Sequence, residues 1–492
     1  MYDNPLSSFS LQPSDLRPHP SSNRPNFGVH FMFVPCHVEM SVFVTLARKM
    51  GIDGAIAYSS GSRIVGGLTG VLSVFFITTF LTGVEQGFYY TFGSILAMQV
   101  FFELGLTGIM TQFVAHEASH LFLNENCTFE GEKQYKSRLA SLVRFCVKWY
   151  SVLALLVFVF LLVVGYVYFY NYGSNQDDVN WQIPWILICV GTAFKLFQSP
   201  FNSILMGIGK VKEMSKIGFW QQIILPLTVW IGLATGLKLF VVGISYLASV
   251  VLWQVFVHQI RLDKIIIRLW KEKVTDHVSY LNEIFPFQWR IALSWVSGYF
   301  LFQLFNPVLF ATEGAVVAGQ MGMTLTAINA IQAFSMSWMS TKVPLFSQLI
   351  AQRNYEQLDQ IFSRSQKQMA NVCFGLLVTF FAFIWLLNYS QLKLGESVLA
   401  DRFLTYLPML LVALPMYLQQ YIYSWATYLR CHKQEPLLCF SIVCGVVNCL
   451  STLILGRLYG LYGVTIGYCV VTILSLPWSY LIYKTKKNEW HK

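Results

Sequence analysis

The sequence predicts an all-α integral membrane protein of about twelve transmembrane helices, arranged as two pseudo-symmetric six-helix bundles. Three observations carry this expectation. Of 492 residues, 55% are hydrophobic and only 12% are charged, about half the charged share of a soluble globular chain. Runs such as Leu153 to Tyr170 and Asn371 to Leu387 are apolar for long enough to cross a bilayer. The pattern of the first half returns in the second, roughly 220 to 232 residues later.

The elements follow in chain order. Residues 1–39 are rich in Pro, Ser and Asn, with no apolar signal-peptide core; they read as a disordered or artefactual extension, with Met40 a natural alternative start. Six spans follow within 40–261, at 57–82, 86–117, 140–170, 181–206, 217–236 and 239–260. Residues 262–285 mix Ile265, Ile266, Ile267, Leu269 and Trp270 with Lys264, Arg268, Lys271 and Lys273. That composition predicts an amphipathic interfacial helix joining two lobes. The second lobe, 286–492, holds spans at 286–309, 313–349, 366–388, 401–427, 436–456 and 460–483, then a short basic tail.

Loop charge predicts orientation. One set of loops carries most of the Lys and Arg, from Arg48 and Lys49 through Lys133, Lys210, Arg261 and Arg353 to Lys486 and Lys487. The opposite set carries only Lys238, Lys393, Arg402 and Arg457. The positive-inside rule then puts both termini in the cytoplasm. The net charge of +10 therefore reflects topology, and nucleic acid is not expected as a partner. Ten scattered cysteines with no CxxC read as small apolar fillers.

The repeat pairs Gly87 with Gly319, Gln198 with Gln420, Asn202 with Ser424 and Gly243 with Gly463. Each half has an even number of spans, so the halves enter the membrane alike and are related by an axis along its normal, with cargo handled between them. The segments TGVEQGFYYTFGSILAMQVFFELGL (82–106) and GAVVAGQMGMTLTAINAIQAFSMSWMSTKVPLFSQLIAQR (314–353) resemble the oligosaccharide flippases of the polysaccharide-export type. That family belongs to the multidrug/oligosaccharidyl-lipid/polysaccharide exporter superfamily. The resemblance covers about residues 45 to 485. It implies transport of an isoprenoid diphosphate-linked oligosaccharide across the bacterial inner membrane, for surface polysaccharide such as O-antigen. It further implies polysaccharide polymerase and glycosyltransferases as working partners, membrane lipids as surroundings, and neither a cofactor nor an enzymatic step.

Candidate site residues are the polar groups inside the spans. Arg63 and Arg290 open the first helix of each half. An intramembrane charge is costly, and a guanidinium holds phosphate with paired, planar hydrogen bonds. The expectation is a diphosphate held between them at similar depth; the bland reading is snorkelling to inner headgroups. Lys195, Gln198, Ser199 and Asn202 form one stripe on span four, and Tyr417, Gln420, Tyr421 and Ser424 another on span ten. They read as cavity-facing, or as hydrogen-bonding ties between helices. Glu103 is the carboxylate deep in span two, either an ion-coupling site or the structural partner of Arg63 or Lys195. Arg144, Lys148 and Lys342 read as headgroup anchors.

Rival readings stay open. His116-Glu117-Ala118-Ser119-His120 matches HExxH, the spacing of an intramembrane zinc peptidase. A multidrug or metabolite exporter shares the superfamily, and a non-transporting assembly scaffold is the third. No phosphate-binding G-x-x-x-x-G-K-[ST] is present, so energy for transport must come from the membrane.

Overall fold

The computed structural model describes residues 54–124, 127–173, 179–394, 397–432 and 434–491. The expectations for 1–39 and for Met40 lie outside the described residues.

The first bundle opens with α1 (Gly54–Phe80), which joins a broken second span. That span consists of α2 (Gly83–Leu96), a 3-10 turn (Ala97–Gln99), α3 (Val100–Glu103) and α4 (Leu106–Ala118). It bends by 43° at Leu104 and Gly105, both in the left-handed region (φ 51° and 69°). A short hairpin, β1 (Leu121–Leu123) with β2 (Phe129–Gly131), leads to α5 (Lys133–Gly173). Then come α6 (Gln182–Gly207), α7 (Val211–Ala234) and α8 (Phe240–Gln259).

The amphipathic linker is shorter than the sequence suggests: α9 covers only Leu262–Lys271, burying Leu262, Ile265 and Leu269. Beyond it the chain runs irregularly to a π-turn at Tyr280–Ile284.

The second bundle repeats the plan. Its first span is α10 (Phe285–Phe302) continued by α11 (Phe305–Glu313), and its second is α12 (Ala315–Ser340) with α13 (Val343–Ala351). Next are α14 (Tyr355–Ser390), a two-residue hairpin (β3, Lys393–Leu394; β4, Ser397–Val398) and α15 (Tyr406–Cys431). The last element, α16 (Leu438–Trp490), is two spans broken at Gly460, whose φ of 55° no ordinary helix residue adopts. At that break the Leu461 N–H donates to Glu313 Oε1 at 2.6 Å, so the end of α11 caps the start of the twelfth span.

Among the described residues, six helices are long and apolar enough to cross a membrane by themselves, and the bent second span makes a seventh. The other spans are interrupted or carry polar faces, and the twelve follow the predicted segments closely. The bundles also pack alike. In the first, α1 lies on α7 (Trp230 Nε1 to Ser73 Oγ, 3.0 Å) and α6 on α8. In the second, α10 lies on the first half of α16 (Asn448 Nδ2 to Phe300 O, 2.9 Å), and α15 on its second half through Trp425 and Tyr480. One core runs through the first bundle and across the junction into the second. A separate core around Met339, Phe362, Tyr428 and Tyr483 belongs to the second bundle alone. The described cysteines are all unpaired.

Candidate functional site

The site is the seam where the bundles meet, and glycine makes it. A Cβ on Gly87 of α2 would stand 2.0 Å from the Ala315 carbonyl oxygen, and one on Gly319 of α12 would stand 2.9 Å from the Gly87 nitrogen. The two helices therefore cross backbone to backbone. Gln86, buried beside this crossing, donates from Nε2 to Gly319 O (2.8 Å) and Arg402 O (3.1 Å), both in the second bundle. Tyr90 reaches Met323 Sδ, Tyr168 donates to Pro307 O, and Asn306 and Tyr299 donate to the hydroxyl and carbonyl of Ser94. Phe88 packs on Phe310 with ring centroids 5.0 Å apart.

These are most of the described hydrogen bonds between the bundles; Arg138 with Glu283, at the basic end, is another. The set joins α2 and the end of α5 to the end of α10, α11, the first half of α12 and Arg402, running from the end poor in basic loops toward the middle of the spans. The seam is closed at the end that carries few basic loop residues.

The same end holds a buried carboxylate. Thr82 and Glu85 form a capping box at the start of α2: the Glu85 N–H donates to Thr82 Oγ1 (3.2 Å) and the Thr82 N–H to Glu85 Oε2 (2.9 Å). Lys238, in the turn before α8, pairs with Glu85 Oε1 at 2.8 Å. Arg402 of the other bundle lies within the field of Glu85. The Thr82-x-x-Glu85 spacing was the sequence signal for this cap; nothing local pointed to Gln86.

At the opposite, basic end, the linker is strapped to α5. The Ser137 hydroxyl accepts the N–H groups of Thr275 and Asp276, each at 2.8 Å, and Arg144 donates to the carbonyls of Trp270 and Glu272. Arg138 bridges Glu117 (3.0 Å) and Glu283 (2.7 Å), linking the end of α4 to the start of the second bundle. Burial pulls the Glu283 carboxyl up, but the Ser279 N–H and the Arg138 guanidinium outweigh it and hold it below the usual carboxylate range. Arg144 thus grips backbone rather than standing as a headgroup anchor.

The sequence-derived site residues fall as follows. Arg63 lies on α1 and Arg290 on α10, the first helix of each bundle, with their side chains outside what is described. The expected equal depth does not follow from the helix bounds. Arg63 precedes the end of its span at Phe80 by about 17 residues, and Arg290 precedes Glu313 by about 23. The difference of about 6 residues is about 9 Å of helix, so equal depth would require the two helix ends to stand at different levels.

Gln198 is buried and donates to Val250 O (3.0 Å), and Asn202 accepts from Trp253 Nε1 (2.6 Å); both tie α6 to α8. Gln420 is fully buried and donates to Ser335 Oγ and Cys373 Sγ, while Ser424 accepts from Gln366 Nε2. In this conformation these four bond helices within their bundles. Lys195 places its ammonium 4.8 Å from the centre of the Tyr246 ring, a cation–π contact. Glu103 stands at the bend of the second span, where Oε1 accepts from Thr107 Oγ1 (2.8 Å) and Ser199 Oγ (3.3 Å). The ion pair with Lys195 is not formed.

The HExxH reading loses its base. Glu117 is 2% exposed and paired with Arg138, His116 is exposed, and His120 stacks on Tyr135 at 3.9 Å. Among the described residues no three His, Cys, Asp or Glu side chains gather into a metal site. Two clefts of about 530 and 590 Å³ lie on the second bundle, one between α13 and α15 and one along α14, both away from the seam.

Neither a known protein family nor a curated protein matches the sequence. Solved structures do match the fold. The inward-facing conformation of a multidrug resistance MATE family transporter aligns at TM-score 0.64 with 14% identity, covering 89% of this chain and 98% of that one. An outward-facing conformation of a MATE family transporter aligns at 0.51, also with 14% identity, over 89% and 97%. The lipid II flippase MurJ in an inward closed conformation aligns at 0.52 with 12% identity, over 87% of each chain. The chain thus has the fold of these multi-pass membrane transporters.

Proposed function

We propose that this protein is a flippase that carries an isoprenoid diphosphate-linked oligosaccharide from the inner to the outer leaflet of the bacterial inner membrane. The two bundles rock about their seam so that it opens to one side at a time. The observation that carries this reading is that the backbone crossing at Gly87 and Gly319 and most of the described bundle-to-bundle hydrogen bonds lie in the half remote from the basic loops. With both termini cytoplasmic, as loop charge argues, the closed end is the outer one. The seam then opens toward the side where lipid-linked sugars are assembled. The better match to the inward-facing neighbour than to the outward-facing one supports the same conformation.

Arg63 and Arg290 enter from the basic end of the first helix of each bundle. We assign them the diphosphate, held at two staggered depths rather than one. Lys195 adds positive charge near the path, while the polar stripes that include Gln198, Asn202, Gln420 and Ser424 keep each bundle rigid as it rocks. Outward movement of a negative headgroup is helped by about 2.3 kcal/mol per charge per 100 mV of inside-negative potential. The isoprenoid tail stays in lipid between the bundles.

The fold serves a multidrug exporter equally well. The positive charge of Arg63, Arg290 and Lys195 disfavours cationic drugs. Arg63→Ala and Arg290→Ala are expected to abolish glycan export and to leave lipid-linked glycan accumulating on the cytoplasmic face, with membrane insertion intact. Full export by the double variant would remove the diphosphate role; drug resistance that tracks the gene with no glycan phenotype would favour the exporter.

A further inference from the structure

One face of α14 changes character along its length, and toward the basic end nothing in the protein satisfies it. The helix has 36 residues, about 54 Å, against roughly 30 Å of hydrocarbon. It packs on α12, α13 and α15 of its own bundle. Phe374, Val378 and Trp385 form a stripe away from those contacts and are 60%, 52% and 58% exposed. Large apolar side chains left open within a span face lipid. Toward the basic end the same stripe continues, at steps of three and four residues, through Asn371, Lys367, Arg364 and Gln360. Counting about 20 residues of hydrocarbon back from Ser390 puts the boundary at about residue 370. Arg364, Lys367 and Gln368 therefore stand level with lipid headgroups, and Asn371 at the edge of the acyl chains.

The cleft along α14 covers this stretch, lined by polar residues from Gln360 to Asn371 with Asp359 at its rim. Polar groups on the other sides of the helix are bonded: Gln366 to Ser424, and Asp359 to Tyr428 and Lys487, each of the last two at 2.8 Å. Among the described residues, the side chains of Gln360, Ser363, Arg364, Lys367, Gln368 and Asn371 have no hydrogen bond or ion pair with the rest of the protein. The repeat sharpens the contrast. α5 is the counterpart of α14, 222 residues earlier (355 minus 133). On α5, the Ser141 hydroxyl accepts the Val278 N–H and helps to hold the linker. The matching Ser363 (141 plus 222) is exposed and unbonded.

We propose that this face of α14 docks an anionic phospholipid from the leaflet at the basic end. The phosphate lies between Arg364 and Lys367, the amides of Gln368 and Asn371 donate to phosphate and ester oxygens, and Gln360 and Ser363 meet the outer part of the headgroup. One acyl chain runs along Phe374 and Val378. Two cations without a counter-charge favour a net negative headgroup over a zwitterionic one, whose own ammonium they repel. The apolar stripe below them favours a lipid over free phosphate. The site lies on the flank of the second bundle, away from the seam, and stands whatever the cargo.

The test can be made without transport. A phosphatidylglycerol carrying a photoreactive diazirine in its acyl chain is added to the full purified chain in neutral detergent, and adducts are mapped by mass spectrometry. Adducts should form at Phe374 and Val378. Unlabelled phosphatidylglycerol should suppress them at concentrations on the order of ten times lower than phosphatidylcholine. Arg364→Gln combined with Lys367→Gln should bring the two competitors level. Lys212→Gln combined with Lys216→Gln, which removes the same charge from exposed positions on α7, should keep the preference. Absence of adducts on this stripe overturns the site, as does equal competition by the two lipids in the wild type. A preference that survives in the α14 variant, or one lost equally in the α7 variant, overturns it too. Suppression by the tail-free headgroup glycerophosphoglycerol as strong as that by the intact lipid would overturn the lipid as occupant.

Discussion

Gly87→Ala should force the closed end of the seam apart. The added Cβ would meet the Ala315 carbonyl oxygen at 2.0 Å and its carbon at 2.5 Å, against an ordinary contact of 3.4 Å or more. The obstacle is backbone on a facing helix, so no side chain can swing aside. The bundles must separate there by about 1.4 Å, or α2 must bend. Overpacking of this kind costs about 1–3 kcal/mol. Separation also stretches the two Gln86 hydrogen bonds, which begin at 2.8 and 3.1 Å. Taking about 2 kcal/mol against the closed end, the ratio of closed to opened seam falls by a factor of about 30. Gly93, on the same helix, supplies the control, since a Cβ there meets nothing within 4 Å. Gly93→Ala should be neutral or slightly stabilising. Spin labels at the exposed Leu237 and Leu392, one on each bundle at this end, report the distance across the seam. Gly87→Ala should broaden and lengthen that distribution, and Gly93→Ala should leave it alone. Equal distributions in the two variants would refute the claim that backbone contact at Gly87 holds the seam closed.

The geometry at the basic end and at the last break gives three further outcomes. Arg138→Met leaves Glu117 buried without its partner and should destabilise the protein by about 3 kcal/mol, read as a lower unfolding temperature. Acidification should loosen the strap in the wild type. Because Glu283 titrates lower when folded than when unfolded, its contribution is present above the ordinary carboxylate pKa and is lost as pH falls through the depressed value. Amide exchange at 272–284, corrected for intrinsic rate, should rise in that acidic window and be already high and flat in Arg138→Met. Gly460→Ala imposes a side chain at φ 55° with its Cβ 1.6 Å from Glu313 Oε1, so it costs backbone strain and displaces the cap on Leu461. The loss should be about 1–3 kcal/mol in thermal unfolding, whereas Gly375→Ala, in open space on α14, should change little.

Much of the architecture was legible because bilayer physics writes it into composition. Twelve apolar segments, a charged linker and a repeat of even span number are one-dimensional signals, and the spans fall where those signals lie. The polar stripes show the limit. Periodicity established that Gln198, Asn202, Gln420 and Ser424 face away from lipid, but a stripe does not say whether its partner is water, cargo or the next helix. The structure supplied Val250 O, Trp253, Ser335 and Gln366 as partners. The repeat pairs Arg63 with Arg290, but a one-dimensional offset does not set their relative depth, because α10 and α11 form a longer, interrupted span than α1. Glu117 in HExxH reads as a base by spacing alone; its pairing with Arg138 depends on a residue beyond the β1–β2 hairpin.

By itself the sequence determined that this chain crosses a membrane many times as two related halves, and which end of each span is basic. These properties depend on how much apolar and charged surface each segment carries, and hydropathy sums along a chain. Only the tertiary structure decided that the halves touch through Gly87 and Gly319 at the end poor in basic loops. It also decided that the second span breaks beside Glu103, and that the predicted stripes bond within their own bundles. Those outcomes depend on which residues from distant segments meet, and at sub-ångström clearance. A missing Cβ or a turned carbonyl has no signature until the facing helix is in place.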